Sequence, residues 1–353
     1  MTNNNHLVIM AGGIGSRFWP MSTEERPKQF VDVLGCGKSL IQLTMERFEG
    51  IIPAENVWVV TSKTYADMVR EQLPAVPEKN ILLEPCRRNT APCIAYVSWC
   101  IKSCNPKANI IVTPSDHIVL NTNEFQRVVK SSLGFVGESD AIVTLGMKPT
   151  RPETGYGYIQ ADLSAPCTRN KEIYRVDQFR EKPSIEVAEE YIAQNNFFWN
   201  AGIFVWNVNT IINAFRIYAP QISSIFERLL PYYGTEKQQA LIDEWFPQCE
   251  NISVDYAIME NAEEIYCFPA SFGWSDLGTW GSLLENSRHD RLGNAVIGND
   301  VKLFNSKNCI VHTTEERRVI IDGLDGYIVA EKNDMLLICR LENEQQIKNY
   351  NDN

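Results

Sequence analysis

Histidine is scarce in this sequence: four occur in 353 residues. That leaves little material for a histidine-rich metal centre or for a nucleophile activated by an imidazole base. Ten cysteines are present but scattered, at positions such as Cys36, Cys86, Cys100 and Cys339, and none forms a Cys-x-x-Cys pair. A zinc site is therefore not expected, and reduced thiols in the cytoplasm are the simplest reading. No apolar run approaches the about 18 residues of a membrane span. The stretch Met1 to His6 is polar and lacks the basic and apolar segments of a secretion signal. Positive charge is in deficit, with 33 Lys and Arg against 44 Asp and Glu and a net charge of −11. A nucleic-acid partner normally demands the opposite balance, although a local basic cluster can still serve a small anionic ligand.

What is present suits a globular protein of two domains: 44% hydrophobic and 22% charged residues in a chain long enough for a sizeable core. The short all-apolar run Leu7-Val8-Ile9-Met10 stops at a glycine loop and has the pattern of a buried parallel strand. Similar runs occur at Val57 to Val60, Ile81 to Leu83, Ile110 to Val112 and Ala141 to Leu145. Helix-like stretches lie between them, at Leu40 to Phe48, Tyr65 to Gln72, Ala91 to Cys104 and Asn123 to Val136. This alternation predicts an α/β domain, a Rossmann-like, mostly parallel sheet flanked by helices. Ligands of such sheets sit beyond the carboxyl ends of the strands. Residues 150 to 285 are less regular and read as the second half of the same domain, with a strand around Tyr156 to Ile159, a helix from Ile185 to Gln194 and helices between Val208 and Glu244. From about Gly293, six short β-type segments separated by turn residues predict a small all-β, β-helix-like module. The expected division is a catalytic domain over 1–288 and a C-terminal module over 289–353.

After the first strand comes Ala11-Gly12-Gly13-Ile14-Gly15-Ser16-Arg17-Phe18-Trp19-Pro20. Three glycines in four positions allow a tight turn of bare N–H groups that can cradle phosphate. The dinucleotide pattern fails because Phe18 stands where its last glycine belongs. Gly37-Lys38-Ser39 resembles the end of a Walker A motif, but Asp32 occupies the position of its first glycine, so a surface loop is expected there. Arg17 and Pro27-Lys28-Gln29-Phe30 add two cations to the glycine loop, as a leaving pyrophosphate requires. Asp116, in Thr113-Pro114-Ser115-Asp116-His117, follows a strand. Asp276 lies in Gly273-Trp274-Ser275-Asp276-Leu277-Gly278. Two such carboxylates can share a Mg²⁺ ion with phosphate oxygens, though each taken alone reads first as a helix cap or turn residue. In Arg180-Glu181-Lys182-Pro183, Glu181 can accept hydrogen bonds from sugar hydroxyls and Lys182 can hold a phosphate.

Ala-Gly-Gly-x-Gly-x-Arg with Pro-Lys-Gln-Phe resembles the nucleotidyltransferases that make nucleotide sugars. The Trp19-Pro20 and Lys28-Gln29-Phe30 variants resemble the mannose-1-phosphate guanylyltransferases among them, and the likeness runs along nearly the whole chain. The resemblance implies the nucleotide-diphospho-sugar transferase fold and transfer of GMP from GTP to mannose 1-phosphate with Mg²⁺, in a cytoplasmic homodimer. It implies catalytic roles for Arg17, Lys28 and Lys182 and a metal held by Asp116 and Asp276. It places the nucleotide on Ala11, Gly12, Gly13, Gly15, Ser16, Arg17, Lys28, Glu84, Asn89, Thr90, Ser115 and Asp116. The sugar phosphate falls to Gly155, Tyr156, Glu181, Lys182 and Asn200. Asp255 either orders the site or caps a helix, and Phe198, Trp199 and Phe204 read as core. Three alternatives stand beside this reading: glucose 1-phosphate with UTP or dTTP on the same fold, a non-catalytic sugar-nucleotide sensor, or a bifunctional chain with an added isomerase barrel. The about 60 residues from Gly293 onward, with one histidine, His312, are too few for that barrel.

Overall fold

The computed structural model describes residues 4–13, 15, 18–313 and 317–350. They divide into two compact units. The larger comprises residues up to 12, 45–114 and 119–274. The smaller gathers 13–44, 115–118 and 275 onward, so the glycine loop beyond Gly12 belongs with the tail.

The larger unit is built on a nine-stranded sheet. Its strands run Ile81–Glu84, Val57–Ser62, Asn5–Ala11, Asn109–Pro114, Phe197–Asn207, Ile142–Met147, Ile265–Ala270, Tyr174–Arg180 and Tyr158–Pro166 in spatial order. The first four are mutually parallel, with Leu7 opposite Val57 and Ile111. Phe197–Asn207 then runs antiparallel to both its neighbours. Ile265–Ala270 is again parallel to Ile142–Met147, and the last two strands are antiparallel. The sheet is thus parallel across the first four apolar runs, while the fifth, at Ala141 to Leu145, pairs antiparallel to Phe197–Asn207 and parallel to Ile265–Ala270. Leu7, Val8, Ile9, Ile110, Ile111 and Val112 are fully buried, as a strand covered on both faces requires. Each such side chain contributes about 1.5–3 kcal/mol of burial.

The helices start at polar caps. Asn89 accepts the Thr90 N–H ahead of Thr90–Cys104, and Asn121 accepts the Glu124 N–H ahead of Thr122–Val136. Ser184 caps Ile185–Gln194, which ends at Asn195 in the left-handed region, φ 60°.

In the smaller unit, the strands Ala295–Ile297, Ile310–His312 and Tyr327–Lys332 stack in parallel from successive turns of chain. Val301–Phe304 and Val319–Asp322 form a second parallel pair. This is the rung pattern of a β-helix, closed by the antiparallel strand Met335–Arg340. Its core joins Ile310, Ile328 and Leu337 to Phe18, Val31, Leu40, Leu277 and Trp280. In the Walker-like stretch Gly37-Lys38-Ser39, Gly37 and Lys38 are exposed, as a surface loop requires, while Ser39 is buried just before the helix Leu40–Glu46. Among the described residues, no helix is long and apolar enough to cross a membrane.

Candidate functional site

The sequence-predicted residues fall into three clusters, two in the larger unit and one in the smaller.

In the smaller unit, Lys28 is 3% exposed. Its Nζ donates to the carbonyls of Asp276 at 2.8 Å and Leu277 at 3.1 Å and lies 2.9 Å from Asp116 Oδ2. The three ammonium hydrogens thus have three oxygen partners, and the charge stands 5.6 Å from the Phe18 ring centroid. Backbone conformation makes this possible. Leu277 sits at φ 45°, a conformation disfavoured for a branched side chain. Gly15 has φ +66°, and a Cβ there would lie 2.5 Å from Lys28 Cβ, so no other residue fits without displacing the lysine. The Gly13 carbonyl accepts from Gln29 Nε2 at 2.8 Å and the Gly15 carbonyl from Ser22 Oγ at 2.5 Å, which ties the loop to the segment carrying Lys28. Burial pushes the Asp116 carboxyl up, but the Lys28 charge, His117 and hydrogen bonds outweigh it and hold Asp116 below the usual carboxylate range. His117 Nε2 lies 3.8 Å from Asp116 Oδ1. Asp276 Oδ1 accepts the Gly278 N–H at 3.0 Å, and a side chain at 278 would clash with Asp276 Oδ2. Lys28, Asp116 and Asp276 line one cavity of about 340 Å³. Lys348, from the C-terminal 3-10 helix, also lines it, a residue that no sequence pattern marks. Ser115 is buried, its carbonyl accepting from Thr44. Arg17 and Ser16 lie outside the described residues.

Ionised Asp116 and the Asp276 carboxylate on one cavity give the hard oxygen donors that a divalent cation such as Mg²⁺ takes, the remaining positions being left to phosphate and water. Among the described residues, no group of three or more His, Cys, Asp or Glu could hold a metal.

In the larger unit, Ala11 ends the first strand and Gly12 follows it. Glu84 ends the strand Ile81–Glu84. A Cβ on Gly12 would stand 3.5 Å from Glu84 Oε2. Glu84 is buried, and its Oε1 has no partner among the described residues. Burial raises this carboxyl to about 8, the Cys93 thiol pulling the other way. A buried carboxyl with one oxygen lacking a partner, beside a bare glycine, is poised for a ligand with N–H donors. Asn89, at φ 64°, and Thr90 open the helix that follows. Thr90 Oγ1 accepts the Val254 N–H at 2.9 Å, and Ala91 N donates to the Ile252 carbonyl.

The remaining cluster centres on Glu181 and Asn200. Lys182, at φ 46°, places its Nζ 2.5 Å from Glu181 Oε1. Burial pulls this ammonium down, but Glu181 outweighs it and raises it. Asn200 Oδ1 accepts from Thr144 Oγ1 at 3.1 Å and Gly202 N at 3.0 Å. Its Nδ2 donates to Asp255 Oδ1 at 3.0 Å. Burial, then the Glu181 charge, raises Asp255 to about 6. Asp255 therefore orders Asn200, and it also opens the short π-helical turn Asp255–Met259. No sequence pattern singles out Gly157 as a site residue, yet a Cβ there would meet Glu181 Oε2 at 2.4 Å and Asn200 Cβ at 3.3 Å. Its carbonyl accepts the Asn200 N–H at 2.8 Å. The Gly155 N–H donates to Glu153 Oε1 at 3.0 Å. Tyr156 packs edge-on to Trp199 and Trp274, both 5.2 Å away. Phe198, Trp199 and Phe204 are buried, as core residues.

The nucleotidyl transferase family pattern matches residues 6–292. The chain is 33% identical to the mannose-1-phosphate guanylyltransferase of Escherichia coli over 348 residues, 97% of this chain and 74% of that one. A Thermus thermophilus protein named as a mannose-1-phosphate geranyltransferase superposes with a TM-score of 0.87 at 30% identity, over 99% of this chain and 98% of that one. A Helicobacter pylori protein named mannose-6-phosphate isomerase shares the fold, with a TM-score of 0.61 at 23% identity over 77% of this chain and 99% of that one. The chain belongs to the nucleotidyl transferase family, among its mannose-1-phosphate guanylyltransferases.

Proposed function

We propose that this chain transfers GMP from GTP to mannose 1-phosphate, giving GDP-mannose and pyrophosphate. The observation that carries this reading is the Lys28–Asp116 pair on one cavity with Asp276, in a chain whose relatives are guanylyltransferases. A phosphate oxygen of mannose 1-phosphate attacks the α-phosphorus of GTP in line. One P–O bond forms, the α–β bridging bond breaks, and pyrophosphate leaves with the electron pair. A sugar phosphate is already largely ionised near neutral pH, its second pKa being about 6, so no general base is needed. The four histidines fit that economy. The obstacle is repulsion between two polyanions. Arg17 and Lys28 offset it on the nucleotide, Lys182 on the sugar phosphate, and positioning does the rest. Asp116 and Asp276 would hold Mg²⁺, which when bound neutralises phosphate oxygens.

In this reading Ala11, Gly12, Gly13, Gly15, Ser16 and Ser115 line the phosphates. Glu84, Asn89 and Thr90 meet the base. Gly155, Tyr156, Glu181 and Asn200 meet the mannose. Functionally, residues 1–288 are catalytic and 289–353 form the β module. The enzyme works in the cytoplasm as a homodimer; exposed Phe304, Ile320, Leu336 and Ile338 on the β module support the pairing. Incubation with Mg²⁺, GTP and mannose 1-phosphate, beside UTP or dTTP with glucose 1-phosphate, tests the reading by product mass. GDP-mannose should dominate, and faster formation of a glucose nucleotide would overturn the substrate assignment.

A further inference from the structure

The smaller unit holds a second cavity, of about 330 Å³ and distinct from the one at Asp116. Arg26 and Val31 line it, bracketing the 3-10 turn Lys28–Phe30. The β module supplies Gly298, His312, Thr313 and Lys332. We propose that this cavity binds a phosphate-sized oxyanion, held by Arg26 and Lys332 and by the hydroxyl of Thr313.

Charge is the first reason. Lys332 Nζ donates to the Met21 carbonyl at 2.5 Å, and Arg26 Nε to the Phe30 carbonyl at 3.4 Å. Among the described residues, neither cation makes an ion pair. Burial, then the neighbouring Arg26, lowers Lys332 to about 8. Two cations face one carboxylate, Asp32, in this lining, and an anion between them relieves their mutual repulsion. Asp32 itself accepts the N–H groups of Cys36 at 3.1 Å and Gly37 at 2.7 Å within its own loop.

An unsatisfied polar atom is the second reason. His312 and Thr313 are each 5% exposed. Thr313 Oγ1 has no hydrogen-bond partner among the described residues. Leaving such a group buried and unmade costs about 1–3 kcal/mol. The His312 imidazole is held neutral, near 4, by burial, with backbone hydrogen bonds to Val33 and Asp32 and the Asp32 charge pulling the other way. An oxyanion offers a lone pair for the threonine hydroxyl.

The walls also fit a small ligand. A Cβ on Gly298 would lie 2.2 Å from Thr313 Oγ1, and one on Gly35 would lie 2.6 Å from Ile297 Cγ2. Any larger residue at 298 would fill the space beside the hydroxyl. Glycine keeps it open.

The test is calorimetric titration of the full chain, without nucleotide, with inorganic phosphate and separately with glycerol 3-phosphate. Lys332→Met should weaken the binding about tenfold or more, as the loss of a charge-assisted partner does. Thr313→Val should weaken it several-fold while keeping the wild-type melting temperature in phosphate-free buffer. Tighter binding of the ester would identify a phosphorylated metabolite as the ligand, and equal or weaker binding the free anion. Unchanged affinity in Thr313→Val, or no heat from millimolar phosphate in the wild type, would overturn the proposal. Thr313→Val decides the matter even if Lys332→Met fails to fold.

Discussion

The Lys28 cluster and the Asn200 cluster solve the same electrostatic problem in opposite ways. In the first, a buried ammonium is saturated by one carboxylate and two carbonyls, and its partner Asp116 is held ionised. In the second, the carboxyl of Asp255 accepts from the Asn200 amide and meets the Ser253 hydroxyl, yet burial and the Glu181 charge raise it to about 6, while Lys182 is more than half exposed. The Lys28 ammonium has its oxygen partners in place without ligand; the Lys182 ammonium, paired with Glu181, stays open to solvent. A preformed centre suits phosphoryl chemistry, where reorganisation at the moment of reaction is costly. An exposed ammonium suits a ligand that brings its own phosphate.

The sharpest way to break the comparison is at Lys28. Lys28→Met leaves Asp116 and two carbonyls without their cation. Turnover should fall about 100- to 1,000-fold, by analogy with loss of one preorganised donor, and thermal unfolding should show a loss of about 3 kcal/mol, as when one partner of a buried pair is removed. Lys182→Ala should leave the melting temperature nearly unchanged and raise KM for mannose 1-phosphate about tenfold or more in a pyrophosphate-release assay. Equal damage from both variants to both substrates would erase the distinction. Gly157→Ala, which pushes a methyl into Glu181, should raise the same KM several-fold and leave KM for GTP alone.

The smallest effects are in pH. The folded-state value of Asp255 is raised, so its stabilising contribution is full below its unfolded value near 4 and is lost as pH rises through about 6. Asp255→Asn should remove that decline, so the mutant-minus-wild-type melting difference should grow between pH 4 and 6 and then level off. Glu84 behaves alike over the window from about 4.5 to 8. If its carboxylate accepts from guanine, GTP should bind more tightly as pH rises toward 8, and Glu84→Gln should flatten that trend.

Much of the fold is legible in the sequence because its parallel strands are buried on both faces, and unbroken apolar runs have few other uses. The helix Ile185–Gln194 carries its own cap at Ser184 and its own stop at Asn195. The strand Phe197–Asn207 is not recognisable as one: Asn200 reads as a sugar contact, and Phe198, Trp199 and Phe204 read as core without marking a strand. Its role as the antiparallel link between Asn109–Pro114 and Ile142–Met147 depends on long-range pairing. Ile265–Ala270 escapes notice because a tyrosine, a cysteine and a proline interrupt its apolar pattern. Among the site residues, Lys28, Asp116 and Asp276 stand out because their motifs are dense and distinctive. Thr144, Gly157 and Lys348 do not: a threonine within an apolar strand, a glycine among glycines and a lysine in a polar tail acquire meaning only from what the fold brings beside them. That Lys28 bonds the Asp276 and Leu277 carbonyls is equally hidden, because it depends on the backbone at Leu277.

Phosphate chemistry through a divalent ion held by the carboxylates beside Lys28 is tested most directly by one titration. It follows the rate of GDP-mannose formation against Mg²⁺ concentration in wild type, Asp116→Asn and Asp276→Asn. Each substitution should lower turnover at least about 100-fold at Mg²⁺ levels that saturate the wild type, with partial recovery at higher Mg²⁺. Wild-type Mg²⁺ curves in both variants would contradict the metal-bridged site.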